Sequence, residues 1–425
     1  MSSQPSGRRR FLKGGTAALA GFTVGAIQPG SAQAPAPHAH SDSPPNKDLV
    51  AYGERSRFVT SIRKADEDEG TGSGPFGVDQ LHALTPLQDQ AGIITPSSLH
   101  FVAAHGGMDI PDIDPREHKL MIHGMVDRPL IFTMEELKQF PSVSRIHYVE
   151  CNGNQPARKY KTVQESHGKT SCSEWTGVPL ALLLKEAGVK PGAKFILSEA
   201  ADGFKSNKSL PLAKAMADTL VAYAQNGEPV RPQQGFPLRL LPPGFEGQDN
   251  IKWLHRIEVV DQVYVTYNEV SRVTTNPKTP KSPWFTVFEQ GPKSVITFPS
   301  GGQQLRGRGL YEIRGFAWSG GGAIRRVEVS IDGGRTWKDA TIDGPVHRMA
   351  HTRFHLPWKW EGQEVELQSR CTDELNQVQP TRAAFRKFWG FAPDDPSESG
   401  AGLGHVNYIQ PWKVASDGSV RNGLA

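Results

Sequence analysis

The chain has 425 residues, 37% of them apolar and 22% charged, with 48 Lys and Arg against 44 Asp and Glu. This composition excludes a disordered or membrane-spanning protein, and the length suits two or three domains. Gly 44 and Pro 33 make up about 18% of the chain against a usual roughly 12%, so many turns and strands are expected, and three cysteines without C-x-x-C spacing exclude a c-type haem attachment, a zinc ribbon and a four-cysteine iron–sulfur site.

At the start, Arg8-Arg9-Arg10-Phe11-Leu12-Lys13 precedes an apolar stretch from Gly14 to Ile27, and Ala32-Gln33-Ala34 follows. A charged region, an apolar region and a small-residue cleavage site predict an export signal over 1–34, and the paired arginines resemble the twin-arginine type. The apolar run of about 14 residues is too short for a membrane span, which needs about 20. Twin-arginine export moves folded proteins, so a cofactor inserted before export and a periplasmic location are expected. Residues 1–34 carry four basic and no acidic residues, which leaves the mature chain neutral and argues against nucleic acid as a partner. Residues 35–90 read as an N-terminal extension, Pro- and Ser-rich at 35–48 and acidic, then Gly-rich, at 66–77.

From 91 to 270 the pattern mixes helix and strand. Thr133-Met134-Glu135-Glu136 is a capping box that opens a short helix ending before Pro141. Thr176 to Ala187 predicts a helix with Leu180, Leu183 and Leu184 on one face and Gly188 as its stop. Ser209 to Gln225 predicts a third helix, closed by Asn226-Gly227, and Ile257 to Val265 a strand. The Pro-, Thr- and Lys-rich stretch 271–285 marks a boundary. Beyond it Val327, Val329 and Ile331 alternate with Glu328 and Ser330 before a hairpin turn at Asp332-Gly333-Gly334, and Glu364 to Arg370 alternates similarly. Residues 286–390 therefore read as a β-sandwich of about 100 residues. For the tail, 391–425, a wrap around a partner or second subunit and a disordered extension are both open. The fold class expected is α+β.

Among residues that could carry chemistry, Cys151 follows a predicted strand and enters the polar turn Asn152-Gly153-Asn154. A thiolate there suits a nucleophile or a soft metal ligand, whereas a lone cysteine is most often a buried structural residue. Gly235-Phe236-Pro237-Leu238-Arg239 and Lys252-Trp253-Leu254 form rigid, Gly- and Pro-rich surroundings for two cations. Arg suits bidentate binding of phosphate and Lys acts as a point charge; the alternative is a solvated surface pair. None of the 14 histidines lies in an H-E-x-x-H pattern. His351 and His355 fall in a predicted strand that would hold them about 13 Å apart, and there is no P-loop.

Combined, these segments resemble the sulfite oxidase family of molybdenum–pterin enzymes. Cys151-Asn152-Gly153-Asn154 is similar to the family's Cys-Ala-Gly-Asn loop, and Ala222-Tyr223-Ala224-Gln225-Asn226-Gly227 to its Ala-Tyr-x-x-Asn-Gly segment. The Arg239 and Lys252 segments match its pterin-phosphate segments in order and spacing, and Asn376-Gln377-Val378-Gln379-Pro380 resembles the end of its dimerisation domain. The resemblance covers most of 95–385. It implies a mixed α/β molybdopterin-binding domain followed by an immunoglobulin-like β-sandwich dimerisation domain. It further implies Cys151 as the molybdenum ligand and Tyr223 as a hydrogen-bond donor in the active site. The pterin and its phosphate would be held by Arg239, Lys252, Asp202, Asn250, His105 and the stretch beginning at Phe101. Arg348 and Arg158 are candidate substrate contacts.

Within the family, residues 291–302 and His123-Gly124-Met125-Val126-Asp127-Arg128-Pro129 resemble the sulfane dehydrogenase subunits of bacterial sulfur-oxidising systems. That resemblance implies oxidation of sulfite or of sulfane sulfur on a carrier protein, with no haem of its own, electrons leaving to a cytochrome c subunit, and a homodimeric core. Three positions depart from the family's sulfite oxidases. Ala103 stands where they carry Arg, Gln155 and Pro156 replace the Arg after the cysteine loop, and Gln234 replaces a His. Each lost guanidinium removes charge-assisted hydrogen bonds worth roughly 1.5–3 kcal/mol to a small dianion. The departures favour sulfane sulfur, whose recognition needs less charge and more room. A reductase acting on sulfoxides and a non-catalytic secreted binding module, with Cys151 structural, are the alternatives.

Overall fold

The computed structural model describes residues 53, 55–66, 81–104, 110–266, 269, 273–276, 279–285, 289–391 and 405–424. The export signal at 1–34, the stretch 35–48, most of the 66–77 loop, His105 and the first part of the tail lie outside the described residues. Contacts divide the chain into Met1–Val59 and Thr60–Ala425, and all that follows concerns the second unit. Among the described residues no helix is long and apolar enough to cross a membrane.

Two five-stranded sheets dominate the first half. One runs Leu130–Thr133, Lys119–Gly124, Leu254–Val260, Phe195–Ala200, Asn207–Pro211, with Leu254–Val260 parallel to Lys119–Gly124. The other pairs Val143–Glu150, Thr170–Pro179 and Leu220–Gln225 antiparallel, and sets Glu228–Pro229 and Arg239–Leu241 against the last of these. The capping box at Thr133 and Glu136 forms as expected and opens the helix Met134–Gln139. Leu180, Leu183 and Leu184 are fully buried in a core with Leu120, Ile122 and Ile257, and Gly188 ends their helix in the left-handed conformation.

Two predicted helices are corrected. The segment from Thr176 begins as the end of a strand, and its helix runs only over Leu180–Ala187. Thr176 and Val178 are β-branched, and Pro179 lacks an N–H, which makes it harmless before a first helical turn but not inside a helix. Ser209 to Gln225 divides into the end of a strand, the six-residue helix Leu212–Ala217 and the strand Leu220–Gln225. Asn226 and Gly227, both at positive φ, are the turn of a hairpin into Glu228–Pro229, the role that Asn-Gly favours. Tyr223 therefore stands on a strand.

The second half is an antiparallel sandwich. One sheet orders Lys293–Phe298, Gly309–Trp318, Thr352–Trp360, Thr341–Ile342; the other Lys338–Asp339, Ile324–Ser330, Val365–Asp373, Trp412–Val414, Val420–Asn422. The boundary stretch 271–285 contains a hairpin, Val273–Asn276 with Thr279–Phe285. The first half keeps a core of its own around Leu120, Ile122 and Ile257, while Tyr148, Val163 and Cys172 join the sandwich's apolar cluster with Ile296, Trp318, Phe354 and Trp412.

The tail is the largest surprise. Trp412–Val414 and Val420–Asn422 extend a sandwich sheet. Trp412 is fully buried and donates from Nε1 to the Ile296 carbonyl at 3.0 Å. Residues 405–424 are therefore part of the sandwich. Trp412→Ala is expected to destabilise the protein by about 3–5 kcal/mol, the usual loss for a buried large aromatic. Urea unfolding would check it; an unchanged midpoint would mean that the tail packs without contributing.

Candidate functional site

Cys151 emerges from the strand Val143–Glu150 into a tight turn. Its N–H donates to the Lys169 carbonyl at 2.9 Å, and its own carbonyl accepts from the Asn154 N–H at 3.0 Å. The side chain is buried in an apolar cluster with Phe101, Val149, Trp175 and Ala222, with Sγ 3.5 Å from Asn152 Oδ1. Asn154 locks the turn: Nδ2 donates to Glu150 Oε1 at 2.8 Å and Oδ1 accepts from the Lys169 N–H at 2.9 Å.

A cleft opens beside this turn, lined by Ala103, Ser206, Lys208, Gly247, Asn250 and Lys252 among others. Gly247, on the cleft wall, packs directly against the cysteine backbone: a Cβ there would stand 2.8 Å from the Glu150 carbonyl oxygen and 3.2 Å from Cys151 Cα, so only glycine permits this close approach.

The two cationic segments meet at one end of the cleft. Gly235, at φ +106°, lets the chain pass so close to Lys252 that a Cβ would lie 2.8 Å from its Cα. Lys252 Nζ donates to the carbonyls of Ala103 at 2.8 Å and Gln233 at 3.3 Å. Arg239 is buried, with its guanidinium 5.1 Å over the Trp175 ring. Its Nη1 donates to the carbonyl and side-chain oxygens of Gln234, and its Nε has no partner. Gln234 also donates to the Phe101 carbonyl at 2.7 Å, tying 101–103 to the same corner. Burial pushes Arg239 down to about 9. Burial, together with the Arg239 charge, pushes Lys252 down to about 7. No carboxylate lies within ion-pair distance of either among the described residues.

This corner tests the fit of a molybdenum–pterin group. A buried guanidinium with an unpaired N–H beside a half-buried ammonium that it repels is costly unless an anion joins them, and a phosphate supplies both charge and acceptors. The buried Asn250 Oδ1 also lacks a partner. Asp202 accepts from the Ser206 N–H at 3.1 Å and from its hydroxyl at 3.3 Å, which shapes the loop along the cleft wall. No group of three or more His, Cys, Asp or Glu side chains able to hold a bare metal ion occurs among the described residues. A metal at Cys151 would have to arrive with most of its ligands, as a pterin dithiolene delivers it. The residues fit the group.

The structure gathers Cys151, Phe101, Asp202, Arg239, Asn250 and Lys252 around this cleft and its flanks. The other candidates have these surroundings. Tyr223 packs against the neighbouring core, with the Lys138 ammonium 5.9 Å over its ring and no hydrogen-bond partner for its hydroxyl among the described residues. Arg158 is exposed and acts electrostatically on Arg382 and Tyr408. Arg348 is exposed and paired with Glu374 at 2.6 Å. His105 lies outside the described residues. His351 and His355 do not share a site: His351 is buried with Nε2 3.0 Å from Thr170 Oγ1, and His355 pairs with Asp343 at 2.9 Å.

Two residues escaped the sequence reading. Glu150, beside Cys151, and Lys293 form a fully buried ion pair at 2.7 Å. No clear signal marked them: Glu150 ends a strand that also carries Ser144, Arg145 and His147, and Lys293 opens one with Ser294 and Thr297, so neither charge stands out as buried.

Comparison with known proteins follows the same outline. Residues 107–268 match the oxidoreductase molybdopterin binding domain, and residues 286–392 the Mo-co oxidoreductase dimerisation domain. The crystal structure of the sulfane dehydrogenase SoxCD from Paracoccus pantotrophus superposes with a TM-score of 0.80 at 35% identity, covering 90% of this chain and 95% of that one. Mitochondrial sulfite oxidase of Rattus norvegicus is 30% identical over 68% of this chain and 58% of its own. The NADH nitrate reductase of Solanum lycopersicum is 31% identical over 81% of this chain and 45% of its own. The chain thus spans about half the length of these curated relatives.

Proposed function

This chain belongs to the sulfite oxidase family of molybdopterin oxidoreductases, and we propose that within it the protein is a periplasmic dehydrogenase of sulfane sulfur held on a carrier thiol. Each turnover would add one oxygen atom from water to the sulfur and release two protons and two electrons, the electrons leaving to a cytochrome c subunit. The bound molybdenum–pterin group supplies two-electron oxygen-atom transfer to sulfur. The chain's own residues bind and orient it: Cys151 holds the metal, Arg239 and Lys252 hold the pterin phosphate, and Asp202 and Asn250 position the ring system. Phe101, Val149 and Trp175 exclude water around the sulfur ligand, which strengthens every electrostatic contact there. Tyr223 is the proposed hydroxyl donor to substrate.

The observation that carries the choice of substrate is the cleft lining. Ala103 lines it where the family's sulfite oxidases carry Arg, and no guanidinium is among its lining residues. Arg158 and Arg348, the candidate substrate contacts, are exposed, and Arg348 is paired with Glu374. The cations left on the lining are Lys208, which donates to Gln248, and Lys252, which donates to backbone carbonyls, so a free sulfite dianion loses the bidentate partner that a guanidinium gives, while a thiol-bound sulfane sulfur needs it less. The similarity to a sulfane dehydrogenase supports the same reading, and Arg8 to Lys13 supports export by the twin-arginine route. The dimerisation domain supports a homodimeric core with one cytochrome per protomer.

The test is cytochrome c or ferricyanide reduction by the metal-loaded protein, with sulfite and with a persulfidated carrier peptide as substrates. The peptide is expected to have the higher kcat/KM by roughly 10- to 100-fold, the size of one lost charged hydrogen bond. Equal or better turnover of sulfite would make this a sulfite dehydrogenase. Turnover of neither, with oxidation of a reduced viologen by a sulfoxide, would establish the reductive direction. Absence of molybdenum from protein matured in a competent host would remove the cofactor and leave a binding module.

A further inference from the structure

The loop that presents Cys151 is bracketed from outside its own domain. Glu150 precedes the cysteine and Asn154 closes the turn after it. A single side chain of the sandwich, Lys293, reaches both: Nζ donates to Glu150 Oε1 at 2.7 Å and to the Asn154 backbone carbonyl. Asn154 Nδ2 donates to the same Glu150 oxygen, which closes a ring of contacts around Cys151–Gly153. The sandwich secures the other Glu150 oxygen too, through Trp318 Nε1 at 2.7 Å, and Gln290 Nε2 donates to the Glu150 carbonyl at 3.3 Å. Glu150, Lys293, Trp318 and Gln290 are all buried.

We propose that Lys293 is a positioning residue for the Cys151 sulfur: by drawing Glu150 and Asn154 to one ammonium, the sandwich domain sets the width of the cysteine loop and hence the sulfur's approach to the metal. This rests on Cys151 being the molybdenum ligand. A lysine serving stability alone would need only its carboxylate. Here the second bond, to the far end of the loop, has no bearing on charge balance and bears directly on loop width. The domain otherwise expected to join two subunits thereby takes part in shaping the metal site.

Three variants of the metal-loaded protein test this: Lys293→Met, Glu150→Gln, and the two combined. Thermal stability, kcat, KM, and the electron paramagnetic resonance and sulfur-to-metal charge-transfer spectra would be measured for each. Lys293→Met alone leaves a buried unpaired carboxylate, so impaired folding of that variant carries no weight. The double variant is neutral and close in shape, so its stability should recover. It is expected to regain the wild-type melting temperature while keeping altered spectra and a kcat lowered about tenfold at unchanged KM. A double variant that regains the wild-type spectra and kcat along with stability would reduce Lys293 to a structural role and overturn the proposal. Cys151→Ser is the separate control: if it keeps the wild-type spectra, the ligand assignment itself has failed.

Discussion

Cys151→Ser is expected to lower turnover by at least about a thousandfold, because even partners that only support a metal ligand cost 10- to 100-fold when removed. The two other cysteines serve as internal controls. Cys172 and Cys371 are fully buried in the sandwich core. Burial pushes the Cys172 thiol up to about 12, and burial with the nearby Asp373 raises Cys371 still further. Both stay protonated at neutral pH and cannot serve as soft thiolate ligands. Cys172→Ala and Cys371→Ala should therefore keep molybdenum content and kcat while losing stability. Molybdenum analysis and turnover of the three variants decide the matter; activity of Cys151→Ser within tenfold of wild type would mean the metal is held elsewhere.

Mild acid is expected to unfold the protein well before its carboxylates titrate. Beside His167, which burial holds well below its usual value, four more imidazoles are buried and held neutral: burial pushes His100 and His351 down to about 3, and His147 and His405 down to about 4. In the unfolded chain they titrate near the usual 6.5. Below that pH the unfolded state takes up protons that the folded state refuses, so stability falls as pH drops from about 6.5 toward 4. Each imidazole then costs about 2 kcal/mol at pH 5. Together they amount to about 8 kcal/mol, comparable with a typical total of 5–15 kcal/mol. Denaturant unfolding at pH 7 and pH 5 measures the difference directly. A flat profile between them would mean that these histidines already bind protons in the folded state.

How far the sequence could be read depended on whether a residue's role is local. The capping box at Thr133 and the stop at Gly188 depend on a few adjacent residues, and both formed as read. For the corner holding Arg239 and Lys252, glycines and prolines announced only a rigid loop and left a solvated surface pair open; its joining of the two cations was read from the family resemblance. The helix read over Ser209–Gln225 failed because its apolar residues suit either period, and the decisive partner, Thr170–Pro179, lies some 45 residues away. The tail was left open for the same reason on a larger scale: Trp412 finds its surroundings in the sandwich core and Tyr408 beside Phe385, both far away in sequence or formed only on folding. Glu150 and Lys293 stand 143 residues apart, and no short motif joins a carboxylate to an ammonium at that distance.

The tail's contacts also set an order of events during synthesis. Tyr408 Oη donates to the Pro156 carbonyl, and Asn422 Nδ2 to the carbonyls of Ala157 and Tyr160, across separations of 252, 265 and 262 residues. At 5–20 residues per second, the ribosome needs about 13–50 s to pass from the cysteine loop to the residues that fasten its far side. Through that interval the stretch 156–160 lacks these three bonds and the sandwich sheet lacks two of its strands. The nascent chain thus passes through a stage with Cys151, the proposed metal ligand, already made and the stretch after it not yet fastened. Emergence of Asn422 ends that stage, so the last contacts to form fasten the flank of the cofactor site.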